Sequence, residues 1–259
     1  MSDFLPIPRK IAVAVNTSVP GGLEHAETIA RFLSEHGIET VAWGAFQDKT
    51  LSERILAREF DLLVALGGDG TMLKARNLGA PLKLPILGIN IGHVGFLTEI
   101  RRDQWAEMLQ LLLEGKYRLE ERMMLNASHV REGKDLDTWL VLNEVVVCRG
   151  HFVRPIQVMA EVNGYLLHTF VADGLIASTP TGSTAYALAA GGPILPPDLR
   201  NILIIPVAPH LSLDRAIVLS EGDEVCMTVR TVHEAVMSID GHSPVAMLDG
   251  DSVRVTASD

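Results

Sequence analysis

Residues 61–74 read DLLVALGGDGTMLK, and the order of residue types along that stretch decides the fold class. Residues 61–66 form an apolar run too short for a helix, the pattern of a strand buried on both faces. Gly67-Gly68-Asp69-Gly70-Thr71 interrupts the run, and a helical period follows over 71–78. A strand, a glycine-rich turn and a helix in immediate succession make half of a βαβ unit. Working outward, residues 10–16 (KIAVAVN), 40–44 and 85–90 read as further apolar strands, and 23–35 and 51–60 as helices. This alternation predicts a doubly wound parallel sheet covered on both sides, in an α/β domain over residues 1–100. The amphipathic stretch 101–116, RRDQWAEMLQLLLEGK, reads as a bridging helix, because beyond it the period becomes two. Strand-like runs follow at 118–130, 138–148, 156–162, 165–171, 201–206, 216–219, 224–230, 235–239 and 252–256, with Asn163-Gly164 a hairpin turn between two of them. The expected second domain, 101–259, is mainly β, and the fold class is α/β plus β.

Composition limits what such a chain handles. With 22 basic against 32 acidic residues the formal charge is -10, which repels a nucleic acid backbone, so nucleic acid is excluded as a partner. No segment has the roughly 20 uninterrupted apolar residues of a membrane span, and the first ten residues carry no apolar signal run, so a cytoplasmic protein with no membrane partner is expected. Cys148 and Cys226 stand far apart in apolar surroundings, and the histidines form no HxxxH or HxH pair, so no protein-built metal site is expected.

A negatively charged chain that binds phosphate must build its positive field locally, from helix amino ends and backbone amides. The Gly67–Thr71 turn sits where a doubly wound sheet binds ligands, beyond the carboxyl end of a strand. By itself it reads equally well as a tight turn with a capped helix. It is neither a P-loop, since no Gly-Lys pair is followed by Ser or Thr, nor a GxGxxG fingerprint, since Gly88, Gly92 and Gly95 have the wrong spacing. Residues 173–186, DGLIASTPTGSTAY, hold Ser178, Thr179, Thr181, Ser183 and Thr184 ahead of a helix expected from about Thr184. That density of hydroxyls suits diphosphate or ribose oxygens, where a Ser/Thr capping turn between strand and helix accounts for only one or two of the five. Asn143-Glu144 interrupts the apolar run WLVLNEVVV (139–147): a carboxylate buried there needs a strong partner or a ligand, while Glu144 taken alone also fits an outward position of a half-exposed strand.

Taken in order, GGDGT at 67–71, GHVGFL at 92–97, LNE at 142–144, DGLIASTPTGSTAY at 173–186, GGPI at 191–194, APH at 208–210 and SIDG at 238–241 resemble the NAD kinase family. The resemblance implies a Rossmann-like amino-terminal domain, a β-sandwich carboxyl domain, an active site in the cleft between them, and a homodimer or homotetramer. It implies transfer of a phosphoryl group from ATP, or from polyphosphate, to the 2′-hydroxyl of the adenosine ribose of NAD, giving NADP, with Mg2+ accompanying the nucleotide. On this resemblance Asp69 is the catalytic carboxylate and Gly68 and Gly70 belong to the nucleotide loop. Phe96 lines the adenine side, and Asn143, Glu144, Asp173, Thr184, Ala185 and Tyr186 contact the dinucleotide. Arg154 falls where the family often has a basic or histidine contact. Ala189 replaces a frequent serine, His242 a common glutamine or asparagine, and Val171 an arginine frequent in NAD-restricted members, which implies some use of NADH. Diacylglycerol, sphingosine and phosphofructokinases share GGDG-like loops, but Glu144 and the hydroxyl-rich segment argue against them. A catalytically silent NAD-binding regulator would lack the base, and Asp69 is present.

Overall fold

Ile11, Val13 and Val15 on one face of the first strand, and Ala12 and Ala14 on the other, are all fully buried. Such a strand needs helices on both sides. The structure, a computed structural model, describes residues 5–92, 95–211 and 213–258, which form two compact units, 1–119 and 120–259.

In chain order the first unit consists of β1 (Lys10–Val15), α1 (Gly22–Glu35), β2 (Thr40–Ala45), α2 (Lys49–Leu56), β3 (Leu62–Leu66), α3 (Asp69–Gly79), β4 (Ile86–Asn90), β5 (Ile100–Arg101) and α4 (Trp105–Leu113). The sheet is parallel with order β2-β1-β3-β4-β5. Ala26, Ile29 and Leu33 of α1 and Leu109 and Leu112 of α4 cover one face, and Leu51 and Ile55 of α2 and Ala75 of α3 the other. Because Leu109 and Leu112 are buried in this core, α4 belongs to the first unit, and the division falls later than the expected one after residue 100. The chain leaves β1 toward β2 but β3 toward β4. This reversal opens a crevice beyond the carboxyl ends of β1 and β3, the usual ligand position in a doubly wound sheet.

The second unit runs β6 (Met124–Arg131), β7 (Lys134–Val141), β8 (Glu144–Arg149), β9 (Ile156–Val162), β10 (Tyr165–Ala172), β11 (Gly174–Ser178), a 3₁₀ turn (Thr181–Thr184), α5 (Tyr186–Ala189), β12 (Asn201–Val207), β13 (Ile217–Ser220), β14 (Val225–Arg230), β15 (Ala235–Ile239), β16 (Val245–Met247) and β17 (Ser252–Ser258). Two antiparallel sheets, β10-β9-β14-β17-β6-β7 and β13-β12-β11-β8-β15-β16, pack face to face over a core that includes Leu125, Phe170 and Val255 from one and Val147, Leu175 and Met237 from the other. This is the sandwich arrangement. The outer face of the second sheet is apolar beneath α5, where Ala187 packs with Val146, Ile176, Leu203 and Ile205.

Two expectations change here. The run 138–148 is not one strand: it breaks at Leu142-Asn143, with β7 in the first sheet and β8 in the second. The helix expected from about Thr184 is instead a 3₁₀ turn and a four-residue helix, because residues 174–178 are drawn into the sheet as β11 and the Ser/Thr side chains that follow bond the backbone of the turn.

Candidate active site

In the first unit the turn after β3 enters α3 with Gly68 as its amino-terminal flanking residue and no side-chain cap among the described residues. The contrast is α2, where the Asp48 carboxylate accepts from the Thr50 and Leu51 N–H groups. An uncapped helix amino end is a site for an anion. Asp69, the first residue of α3, does not cap its own helix. Its carboxylate accepts instead from the Phe96 N–H at 3.0 Å and the Leu97 N–H at 2.9 Å. These bonds bring Asp69 to the segment that carries the Phe96 ring, which is exposed. Gly70 is exposed too, with open space where a side chain would stand. His93 and Val94 of the GHVGFL motif lie outside the described residues.

In the second unit the chain turns the corner from one sheet to the other at Leu142-Asn143, and the Asp240 carboxylate holds that corner. It accepts the Leu142 N–H at 3.0 Å, the Asn143 N–H at 2.7 Å and the Glu144 N–H at 3.2 Å, and the Asp240 N–H returns a bond to the Glu144 carbonyl. Three successive amides thus converge on one buried carboxylate. From the other side the Ser178 and Thr179 hydroxyls donate to the Asn143 and Leu142 carbonyls, at 3.0 and 2.6 Å. A Cβ on Gly182 would fall 2.1 Å from the Asn143 oxygen, so only glycine allows the 3₁₀ turn to approach the corner. Ser183 donates to Pro180 and accepts from the Leu195 N–H, and Thr184 donates to Thr181. The hydroxyls expected to meet ligand oxygens are therefore bonded within the protein; Ser178, Thr179, Thr181 and Ser183 are buried.

What the corner presents is Glu144. The residue is 6% exposed, its Oε2 has no hydrogen-bond partner among the described residues, and burial, then the neighbouring Asp240 charge, push its carboxyl up to about 7 against the Tyr186 N–H bond. A buried oxygen without a partner points to a ligand group or water. Along the same face of β8 stands Cys148, whose thiol is pushed up by burial. At the far end Asp173 lies 3.1 Å from Arg149 Nε. The half-exposed Tyr186 ring spans this row: burial, then Cys148 and Asp173, push its hydroxyl up, with smaller effects of Arg149 and Glu144.

Comparison with known proteins matches these parts as a set. Residues 11–117 match the ATP-NAD kinase N-terminal domain and 142–259 the ATP-NAD kinase C-terminal domain. The chain is 41% identical to the NAD kinase of Heliobacterium modesticaldum over 95% of its own length and 89% of that protein, and 39% identical to that of Moorella thermoacetica over 96% and 81%. The chain belongs to the NAD kinase family. Among solved structures, an NAD kinase from Archaeoglobus fulgidus in complex with ATP superposes with a TM-score of 0.74 at 27% identity, covering 96% of this chain and 90% of that one. Yeast NADH kinase complexed with NADH shares the fold, with a TM-score of 0.81 at 22% identity over 97% and 81%.

Against that family's expected residues, the structure groups Gly68, Asp69, Gly70 and Phe96 in the first unit, and Asn143, Glu144, Asp173, Thr184, Ala185 and Tyr186 around β8, β11 and α5 in the second. Ala189 closes α5 and His242 occupies the turn after β15, both exposed. Arg154 stands apart, on a different concavity of about 520 Å³ with Gln157, Arg230 and Asp249. Val171 lies on the edge strand β10, its carbonyl bonded to the His210 N–H at 2.7 Å. The sequence reading missed Asp240 and Arg149 as structural partners of this site. Asp240 appeared only inside SIDG, and nothing local signals bonds that reach back across 96 to 98 residues.

Proposed function

We infer that this chain transfers the γ-phosphoryl group of ATP to the 2′-hydroxyl of the adenosine ribose of NAD, making NADP. The observation that carries the reading is the uncapped amino end of α3 at the reversal point of the parallel sheet, with a carboxylate as its first residue. Glycines 68 and 70 admit phosphate oxygens to the first-turn amides, where the helix dipole favours negative charge. Asp69 takes the proton of the attacking hydroxyl. Its two amide bonds occupy one lone pair on each oxygen and leave the others for that proton. Asn143, Glu144, Asp173 and Tyr186 orient the dinucleotide, and positioning of this kind supplies much of the rate in phosphoryl transfer.

Magnesium, when bound with the nucleotide, neutralises charge on the triphosphate. Among the described residues no group of three or more His, Cys, Asp or Glu side chains could hold a metal ion. The donor set therefore fits an ion carried by phosphate oxygens and water, with Asp69 the carboxylate of the loop. Assembly into a homodimer or homotetramer, and use of polyphosphate as a second donor, belong to the same proposal. The test is incubation with ATP, magnesium and NAD, with NADP read by a coupled dehydrogenase. Parallel arms replace ATP by polyphosphate and NAD by NADH, and Val171 predicts measurable NADPH at a lower rate than NADP. Absence of NADP from a folded sample that binds ATP would sink the assignment.

A further inference from the structure

A Cβ placed on Gly95 would lie 2.1 Å from Asp69 Oδ1, 2.3 Å from its Cγ and 2.5 Å from Oδ2, and those three atoms are the nearest it would meet. The nearest clash is with the Asp69 side chain. Gly95 stands immediately before the two residues whose amides meet this carboxylate. Its lack of a side chain serves to let the Asp69 carboxylate lie flat against the chain, where the next two amides, of Phe96 and Leu97, each donate to one of its oxygens at 3.0 and 2.9 Å. Amides on both oxygens fix the rotation of the carboxylate plane, and with it the direction of the remaining lone pairs.

We propose that Gly95 is a positioning residue for the reaction: it admits the Asp69 carboxylate to the paired Phe96 and Leu97 amides, which aim it at the attacking hydroxyl. The inference rests on the reading of Asp69 as base. Any side chain at position 95 pushes the carboxylate off both amides at once. The phosphate-binding amino end of α3 and the dinucleotide segments of the second unit are untouched by it.

The test is Gly95→Ala in the full chain, with initial rates at varied ATP and NAD, and hydrogen exchange of the Phe96 and Leu97 amides. Expected are a kcat at least about tenfold lower, as for a displaced catalytic group, and KM values for both substrates within about twofold. Exchange at both amides should rise to the level of Asp69→Ala, and the Asp69→Ala/Gly95→Ala double variant should exchange no faster than either single one. A wild-type kcat in Gly95→Ala, or Phe96 and Leu97 amides that exchange equally fast with and without the Asp69 carboxylate, overturns the proposal. The exchange readout decides even for a variant too slow to assay. Near wild-type turnover in Asp69→Ala strikes instead at the base assignment beneath it, and so the two failures are told apart.

Discussion

The two N–H bonds accepted by Asp69 change what its replacement by asparagine does. From sequence, Asp69→Asn is a near-isosteric swap that keeps the fold and removes the base. With a donor on each oxygen, the asparagine NH₂ must face a backbone N–H, so one amide loses its acceptor, at a cost of about 1–3 kcal/mol. We expect turnover to drop at least about a hundredfold and the unfolding midpoint to fall with it, read by coupled assay and urea melts. An unchanged midpoint would contradict the pairing, and an unchanged rate the base. Glu144 offers a second test at this scale. Its carboxyl is raised from 4.5 to about 7 in the folded chain, which therefore holds a proton the unfolded chain has released between those values. Stability falls as pH rises through that window and stays lower above it, by roughly 3 kcal/mol at most. Glu144→Gln, which cannot ionise, should gain stability over the wild type between pH 5 and pH 8 in urea unfolding. A difference that stays constant across that range would count against the shift. Sequence reading identified Glu144 as needing a partner or a ligand, but could not see that the nearest charge would be another carboxylate.

At the scale of elements, the strand-helix alternation of the first unit is readable because β1 and β3 are apolar on both faces and α1 carries a 3.6-residue period, whereas the two-residue β5, Ile100–Arg101, leaves no such run. The corner at Leu142-Asn143 is not readable. Apolar residues run on both sides of it, since β7 ends and β8 begins in the same core, and no glycine or proline marks the break. The hydroxyl-rich segment was read as a ligand loop for the opposite reason: composition shows donors but not whether a carbonyl already waits for each. Here Leu142, Asn143 and Pro180 supply those carbonyls. The corner and α5 together are the element we propose for the dinucleotide. Asn143→Ala and Tyr186→Ala should therefore raise the KM for NAD severalfold and leave that for ATP within about twofold, about 1 kcal/mol per lost contact. If both variants raised only the KM for ATP, the assignment of this element would be reversed.

At the scale of the whole molecule, the sandwich buries the Asp251 carboxylate, 1% exposed. It accepts from both Arg131 Nε and Nη2 at 2.8 Å, from His129 Nε2 at 2.9 Å and from the Leu248 N–H. Burial pushes the carboxyl up, but Arg131, the Leu248 N–H and His129 outweigh it and hold it well below the usual range. A depressed carboxylate stabilises the fold at every pH above its unfolded value and loses that contribution only as pH falls through the folded one. Asp251→Asn should cost about 3 kcal/mol at pH 7, and the gap to wild type should narrow only below about pH 4, read by thermal melts across that range. A gap that closes already by pH 6 would rule out the knot as its source. The corner held by Asp240 has a consequence on a different axis, that of time. The first unit possesses all five of its strands once residue 101 has been made, and domains fold in order of synthesis. Asn143 must wait a further 97 residues for the carboxylate that fixes it. In a nascent chain the five described strands of the first unit are thus all made well before the 142–144 corner can close on the Asp240 carboxylate.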